Sequence, residues 1–293
     1  MRPAQHTTPL PAWRAIIVAF SLAALVPAVP CLAQARPAET AQPAVPVATY
    51  ADMAALTERA SIVALVEVRK QAQVEPARAP GLAPGHTRLY VTARTSALLA
   101  ARSPIGESLN YLVDIPLDTK GRAPKLKKQR FLIFAAPVPG SPGVLQLVGD
   151  GAQVPATLES EQLARTVIAA FAEADAPPKI TGVRDIMSVA GNLVGESETQ
   201  LFLDTSTGEP VSLSVIRRPG MEPRWGVSWS EIVDQSARPP APDSVEWYRL
   251  ACTLPAQLPS DSYLQGDPAA RDRAKRDYGY ILQQLGTCER LRT

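Results

Sequence analysis

The best catalytic candidates in this sequence are four acidic side chains: Asp185, Glu196, Glu198 and Asp204. They lie on or between two consecutive predicted strands, residues 180–189 and 198–204. Two carboxyl groups in one cleft can act as general acid and general base, as they do in glycoside hydrolases. Acidic residues on the wet face of a sheet are also ordinary, so a carboxylate-dependent hydrolase is the second interpretation and not the first.

The sequence has few other residues that could support catalysis or bind a metal ion. The chain has two histidines, and His6 lies in the N-terminal leader described below, which leaves His86 in a Gly/Pro-rich loop. A Ser-His-Asp triad or a multi-histidine metal site would have to use that one residue. Residues 149–151 (GDG) start like a dinucleotide fingerprint, but Val154 stands where its third glycine belongs. We therefore predict neither a cofactor nor a metal ion.

A run of basic residues is the strongest local departure from average composition. Six positive charges lie within 11 residues that contain no acid: Lys120, Arg122, Lys125, Lys127, Lys128 and Arg130. Such a run can contact the phosphates of an anionic lipid or polymer. Most charge-rich loops are simply solvated, so a binding role and a solvated loop both stay open.

Two of the four tryptophans share one face of a predicted strand, residues 224–233. Trp225 and Trp229 are four positions apart, and side chains an even number of positions apart on a strand point to the same face. They could form a sugar-stacking platform or an anchor for a protein partner. The chain is poor in aromatics, at 5%, and a sheet that packs on a helix needs bulky side chains. We therefore favour a core position for both.

Residues 15–35 have the pattern of a secretory signal peptide. Arg2 and Arg14 precede an apolar run that is shorter than the roughly 20 residues a membrane-spanning helix needs. The small residues at its end predict cleavage after Ala35 and a periplasmic or secreted protein. An uncleaved membrane anchor is the alternative, whereas lipidation of Cys31 is disfavoured because a proline precedes it.

Removal of residues 1–35 changes the charge and the cysteine count. It takes two of the 30 basic residues and none of the 28 acidic ones, so the mature chain is nearly neutral. We therefore expect no nucleic-acid partner, and no transmembrane segment after cleavage. Cys252 and Cys288 remain as an even pair in an oxidising compartment. We predict a disulfide between them, with two buried free thiols as the alternative.

The mature chain divides by composition into a leader and two units. Residues 36–49 are proline-rich and predict a flexible leader. The first unit, residues 50–155, begins with a short helix that starts at Thr49 or Asp52. Its five predicted strands are residues 61–68, 88–96, 109–115, 130–135 and 144–148. Short strands separated by turn signals favour a small antiparallel barrel or sandwich, and their order resembles that of OB-type and netrin-like modules.

The second unit is residues 156–293. Thr157 caps a helix that we expect to cover the antiparallel meander after it. The four strands of that meander are predicted at residues 180–189, 198–204, 210–216 and 224–233. A C-terminal helix begins after Asp267 and ends before Gly286. The sequence thus predicts a β-rich α+β fold, with a barrel-like unit followed by a helix, a four-stranded meander and a C-terminal helix.

Two functions from different classes fit these patterns. The one we favour is a non-enzymatic protein of the bacterial envelope that binds a protein, a glycan or an anionic envelope component. The second is the carboxylate-dependent hydrolase, acting on a polymer of the cell envelope. The near absence of histidine and of free cysteine favours the binding protein over the enzyme.

Overall fold

The computed structural model describes residues 47–230 and 237–292. The predicted signal peptide and nearly all of the proline-rich leader lie outside the described residues, as does the end of the strand predicted at residues 224–233. The strands and helices form a mixed α+β fold that is rich in strands, as predicted. In the part of the chain that is described, no helix is both long and apolar enough to cross a membrane.

The first sheet is a closed barrel of five strands. They are β1 (Ile62–Gln73), β2 (His86–Ala101), β3 (Ser108–Pro116), β4 (Arg130–Pro137) and β5 (Val144–Leu147). Neighbours pair in the order β1-β2-β3-β5-β4, and β4 pairs back with β1. The β3–β5 pair is parallel and the other pairs of the barrel are antiparallel. Of the two arrangements that the sequence predicted, a small barrel or a sandwich, the structure therefore has the barrel.

Alternating apolar side chains fill the barrel. On β2, Leu89, Val91 and Ala93 are buried, whereas Tyr90 and Thr92 between them face outward. This is the alternation that the sequence predicts for a strand with one buried face and one wet face. A short strand, β6 (Gln153–Pro155), adds to the outer edge of β4 and was not predicted.

Helix α1 (Tyr50–Arg59) packs on the barrel and begins with a capping box. Thr49 is the N-cap, and its side chain accepts a hydrogen bond from the Asp52 N–H at 3.0 Å. The Asp52 carboxylate in turn accepts one from the Thr49 N–H at 2.9 Å. The two candidate capping residues of the sequence therefore act together, because each satisfies a backbone donor that the first helical turn leaves free.

Helix α2 (Leu158–Ala172) also belongs to the barrel. Thr157 caps it, as predicted. Its Ala164 and Val167 are buried in the hydrophobic cluster of the barrel. The prediction that this helix covers the four-stranded sheet is wrong. Residues 156 and 157 are the whole connection from β6 to α2, so the helix is held against the barrel that β6 extends.

The second sheet is an antiparallel meander in the order β10-β9-β8-β7. Its strands are β7 (Ile180–Ala190), β8 (Ser197–Thr205), β9 (Val211–Arg217) and β10 (Arg224–Ser228). The C-terminal helix α4 (Pro268–Leu285) covers its inner face, with Asp267 as N-cap and Gly286 after the last turn, as predicted. The apolar stripe of α4 is buried there: Ala274, Tyr278, Ile281 and Leu285.

Buried polar side chains attach α4 to this sheet. Asp277 is buried and accepts hydrogen bonds from the Thr199 hydroxyl on β8 and the Arg217 Nε on β9. The Thr199 hydroxyl oxygen in turn accepts a hydrogen bond from the Ser188 hydroxyl on β7 at 2.9 Å. The Arg217 guanidinium lies 5.9 Å from the Tyr280 ring centroid. Because a buried carboxylate must be paired, these contacts fix both the position and the rotation of α4.

A disulfide joins Cys252 to Cys288, as predicted. Cys252 follows helix α3 (Val245–Ala251), and Cys288 follows α4. Both cysteines pack against the barrel cluster, whereas α4 itself packs on the second sheet. The disulfide therefore closes the segment from α3 to the C-terminal tail. The division of the chain into two units at residue 155 stays a prediction.

Candidate functional site

The basic residues lie on the loop that joins β3 to β4, residues 117–129, and at the start of β4. We call residues 117–129 the basic loop. Leu126 is buried and anchors this loop. The Leu126 N–H donates to the Gln71 side-chain oxygen at 2.5 Å, and the Gln71 amide donates to the Pro124 carbonyl at 2.8 Å. One glutamine of β1 thus holds the loop backbone on both sides of the buried leucine.

The six predicted basic residues divide into two groups. Arg122 forms an ion pair with Asp118 at 3.2 Å, and Arg130 forms one with Glu161 at 3.1 Å. Four lysines are exposed and have no ion pair with any described residue: Lys120, Lys125, Lys127 and Lys128. The loop therefore presents four uncompensated charges on an anchored backbone.

Asp118 shapes the start of the basic loop. Its carboxylate accepts the backbone N–H of Arg122 at 2.9 Å and that of Lys120 at 2.8 Å. These hydrogen bonds, that from Arg122 first, lower the pKa of the Asp118 carboxyl below its usual value. The ionised carboxylate compensates Arg122, its ion-pair partner, and leaves the lysines uncompensated.

Strand β1 brings further positive charge beside the loop. The Lys128 N–H donates to the Val68 carbonyl at 2.8 Å, and the Val68 N–H donates to the Gln129 carbonyl at 3.0 Å. Arg69 and Lys70 follow Val68 on β1 and are exposed. They therefore lie next to the lysines of the loop, at a point where the predicted strand had already ended.

One acidic residue lies among these charges. Glu67 forms an ion pair with Arg69 at 3.0 Å and lies 3.9 Å from Arg94 of β2. In the antiparallel pairing of β1 with β4, Glu67 lies opposite Arg130. We call the resulting surface the basic face, and its basic members are Arg69, Lys70, Arg94, Lys125, Lys127, Lys128 and Arg130. Sequence reasoning missed the first two because it ended β1 at residue 68. It saw Arg94 only as part of a wet strand face.

The basic face continues onto the outer surface of β2 and β3. Lys70 pairs in register with Thr92, whose hydroxyl donates to Asn110 of β3 at 2.9 Å. In the next row Tyr90 lies opposite Leu112, and these side chains are 42% and 41% exposed. The basic face and this surface are therefore contiguous.

The far end of the β2–β3 surface is closed by an ion pair. Arg88 donates through Nε and Nη2 to the two oxygens of Asp114, each at 2.7 Å. Hydrogen bonding to Asp114 raises the pKa of the Arg88 guanidinium. Both charges are committed to each other, so they contribute shape to this edge but little net charge.

The acidic candidates lie on the second sheet. Asp185 pairs in register with Phe202, whereas Asp204 lies opposite Gly182, beyond a register shift between Val183 and Asp185. Glu198 is at the other end of β8, about 20 Å from Asp204 along the strand. Glu196 lies in the turn before β8, where its carboxylate accepts the Leu193 N–H at 3.3 Å. Asp185 and Asp204 thus lie on adjacent strands, and the catalytic role of the four acids stays a prediction.

The local partners of these carboxylates are ordinary ones. Asp185 forms an exposed ion pair with the adjacent Arg184 at 3.1 Å. Glu198 accepts a hydrogen bond from the Gln200 amide at 2.8 Å. Asp204 is exposed. These contacts are typical of the wet face of a sheet, and they give the hydrolase interpretation no added support.

The structure places the tryptophan pair against the core of the second sheet. Trp225 is buried, and Trp229 is half-buried against the same cluster. Gly226 between them faces a covering segment, because a Cβ there would lie 2.2 Å from the Ala237 backbone carbon. Trp225 therefore has the core position that we favoured, and its ring is not an open stacking platform.

Among the described residues, no group of three or more His, Cys, Asp or Glu side chains is arranged to hold a metal ion. No known protein family matches the sequence, and no curated protein is similar to it. A function for this chain therefore has to be argued from the geometry of its own residues.

Proposed function

We propose that the protein is an exported, non-enzymatic binding module of the bacterial envelope whose basic face binds an anionic envelope polymer. The observation that carries this proposal is that three exposed lysines of the basic face, Lys125, Lys127 and Lys128, have no ion pair with any described residue. They stand on a loop that Leu126 and Gln71 anchor to the barrel. A ligand with spaced phosphate, sulfate or carboxylate groups supplies the opposite charges.

The anchored loop favours binding for an entropic reason. A flexible loop loses backbone freedom when it binds, and this loss reduces the affinity. In the basic loop the backbone around Leu126 is already held, so a ligand orders only the lysine side chains. The electrostatic attraction is therefore opposed by a smaller loss of entropy than in a free loop.

A polyanionic glycan fits the adjoining surface better than a single-stranded nucleic acid. Proteins that bind single strands use several aromatic side chains on which successive bases stack. On the described outer surface of β2 and β3, Tyr90 is the one aromatic side chain. Thr92 and Asn110 beside it supply the hydroxyl and amide groups that hydrogen-bond to sugars.

Export is supported by the leader and by the cysteines. The N-terminal pattern predicts a mature chain that begins near Arg36, and the Cys252–Cys288 disulfide is compatible with an oxidising compartment. Bacterial envelopes present acidic glycans and lipid phosphates to exported proteins. These are the classes of ligand that the basic face is suited to bind.

Retention on immobilised heparin, a model polyanion, tests the proposal. The triple variant Lys125→Ala, Lys127→Ala, Lys128→Ala is expected to elute at a clearly lower salt concentration than the unchanged protein, because three counterion-releasing contacts are lost. The matched control removes three exposed basic residues of the second sheet and α4: Arg218→Ala, Lys275→Ala and Arg276→Ala. We expect the control to elute like the unchanged protein.

Three results would contradict the proposal. The first is unchanged retention of the lysine variant, and the second is an equal loss in the control variant. The third is tighter binding to single-stranded DNA than to heparin at the same salt concentration. Circular dichroism of both variants establishes that they are folded.

A further inference from the structure

A cavity of about 460 Å³ opens where α1, α2, α3 and the C-terminal tail meet. Two aromatic rings and three carboxylates line it: Tyr50, Trp247, Glu159, Asp243 and Glu289. The described lining contains no Lys or Arg. The cavity is therefore aromatic inside and acidic at its rim, which is the opposite charge from the basic face.

The acidic rim is uncompensated. The carboxylates of Glu159, Asp243 and Glu289 form no ion pair with any described residue. Glu159 lies in the first turn of α2, where the helix dipole stabilises a negative charge. This explains why one of the three carboxylates is present without an ion-pair partner. Glu289 lies in the tail outside any helix. Local helix electrostatics therefore do not explain the whole rim.

Tyr50 supplies an independent observation. Its side chain is only 6% exposed and lines the cavity, yet its hydroxyl forms no hydrogen bond with any described residue. The hydroxyl itself is open to the cavity and not shut off from solvent, so its hydrogen-bonding capacity is available to a ligand. Burial raises the pKa of Tyr50 to about 12, and the charges of Glu246 and Asp243 contribute further. The hydroxyl is therefore neutral, close to carboxylates, and free to bond a ligand.

Trp247 gives the cavity its apolar wall. Its ring packs edge to face with Tyr50, with 6.4 Å between the ring centroids. The indole N–H donates to the Leu285 carbonyl at 2.8 Å, which fixes the orientation of the ring. Ser244 is the N-cap of α3, and its hydroxyl oxygen accepts a hydrogen bond from the backbone N–H of Trp247 at 3.1 Å. The aromatic wall is therefore held in place by groups outside the cavity.

We propose that this cavity binds a primary alkylammonium group, as carried by a lysine side chain or a free diamine. The ammonium N–H groups donate to the Tyr50 hydroxyl oxygen and to the rim carboxylates, and the alkyl chain lies along the Trp247 ring. A quaternary ammonium fits less well because it has no N–H to donate. This site is independent of the basic face and of the ligand proposed for it.

Calorimetric titration of the full mature chain with 1,5-diaminopentane tests the chemistry. We expect saturable binding of the diamine and none of 1,5-pentanediol, which has the same length but no charge. Tetramethylammonium, which carries a charge without an N–H, is expected to bind more than about tenfold more weakly, because none of the hydrogen bonds of the ammonium group can form. A Gly-Lys-Gly peptide distinguishes a peptide lysine from a free diamine as the source of the ammonium group.

Two variants locate the site. Tyr50→Phe removes one oxygen atom that has no described partner, so the fold is preserved while diamine affinity falls about fivefold. Asp243→Asn is expected to weaken the diamine further and to leave the diol unbound. The matched control is Tyr263→Phe, which also removes a tyrosine hydroxyl without a described partner, but a buried one at a position that is not part of the cavity lining.

The control is expected to bind diamine like the unchanged protein. Absence of measurable diamine binding would overturn the proposal. So would equal affinity of the unchanged protein, Tyr50→Phe and Asp243→Asn, or a loss of affinity in Tyr263→Phe as large as that in Tyr50→Phe.

Discussion

The Asp52 carboxylate connects the first described helix to the C-terminal tail. This buried carboxylate accepts the Thr49 N–H at 2.9 Å in the capping box of α1. It also accepts the backbone N–H groups of Leu291 at 3.1 Å and Arg292 at 3.0 Å. One side chain thus joins the start of the described chain to its end, because three backbone donors converge on it.

Replacement of Asp52 by alanine is expected to lower the free energy of unfolding by about 3 kcal/mol, since the cap is lost and buried N–H groups are left unpaired. Urea unfolding followed by circular dichroism measures this change. Asp175→Ala is the control, because Asp175 is exposed and forms no side-chain hydrogen bond with described residues. A loss for Asp52→Ala no greater than for the control would show that the tail contacts contribute little.

The sequence predicted only the local part of this role. A Thr followed three residues later by an acid is a helix-start pattern that can be read from neighbouring residues. The tail contacts of Asp52 span 239 and 240 residues, and no local pattern encodes them. The same holds for the Tyr50 hydroxyl, whose lack of a partner is visible only when the surrounding helices are in place.

At the scale of elements, replacing either of two glycines by alanine is expected to change the free energy of unfolding, in opposite directions. Gly279 lies in α4, is exposed, and has nothing within 4 Å of the position of a Cβ. Gly279→Ala is expected to raise the free energy of unfolding by about 0.5–1 kcal/mol, because alanine loses less backbone entropy in a helix. Gly226→Ala is expected to lower it by about 1–3 kcal/mol, because its Cβ would overlap the Ala237 backbone.

Thermal unfolding of both glycine variants measures the two changes in stability. A rise in Tm for Gly279→Ala together with a fall for Gly226→Ala is the expected result. A stabilised Gly226→Ala protein would mean that the segment around Ala237 does not lie against β10 in solution. The two changes add the same methyl group, so each is the control for the other.

The basic face shows what a strand prediction can and cannot supply. The composition of residues 120–130 shows six positive charges, and the alternation of apolar and polar residues along β2 predicts that Arg94 faces solvent. The irregular register between Val68 and Lys70 was not foreseen, and β1 in fact runs to Gln73. The contribution of Arg69 and Lys70 therefore became visible only from the pairing of β1 with the loop.

At the scale of the whole molecule, buried tyrosines predict a loss of stability at alkaline pH. Burial raises the pKa of Tyr50 and of Tyr248 to about 12, and it raises the pKa of Tyr111 and Tyr278 as well. In the unfolded chain a tyrosine titrates near pH 10. Between these values the unfolded state binds fewer protons than the folded state, so the free energy of unfolding falls as pH rises.

Urea midpoints measured from about pH 9 to about pH 12 test this dependence. We expect a constant midpoint below about pH 10, followed by a decline that coincides with tyrosinate absorbance appearing on unfolding. Tyr50→Phe removes one of the four titrating groups and is expected to make the decline shallower. A midpoint that does not fall above pH 10 would contradict the burial of these hydroxyls.

Local patterns in the sequence determined most of the elements, the cap at Thr157, the stripe of α4 and the pairing of Cys252 with Cys288. Each depends on neighbouring residues, on a short period, or on there being two cysteines left to pair. The tertiary structure alone decided that α2 packs on the barrel, that four of six loop charges are unpaired, and that Tyr50 meets an acidic rim. Burial and ion pairing depend on residues far apart in the chain, and only packing brings those residues together.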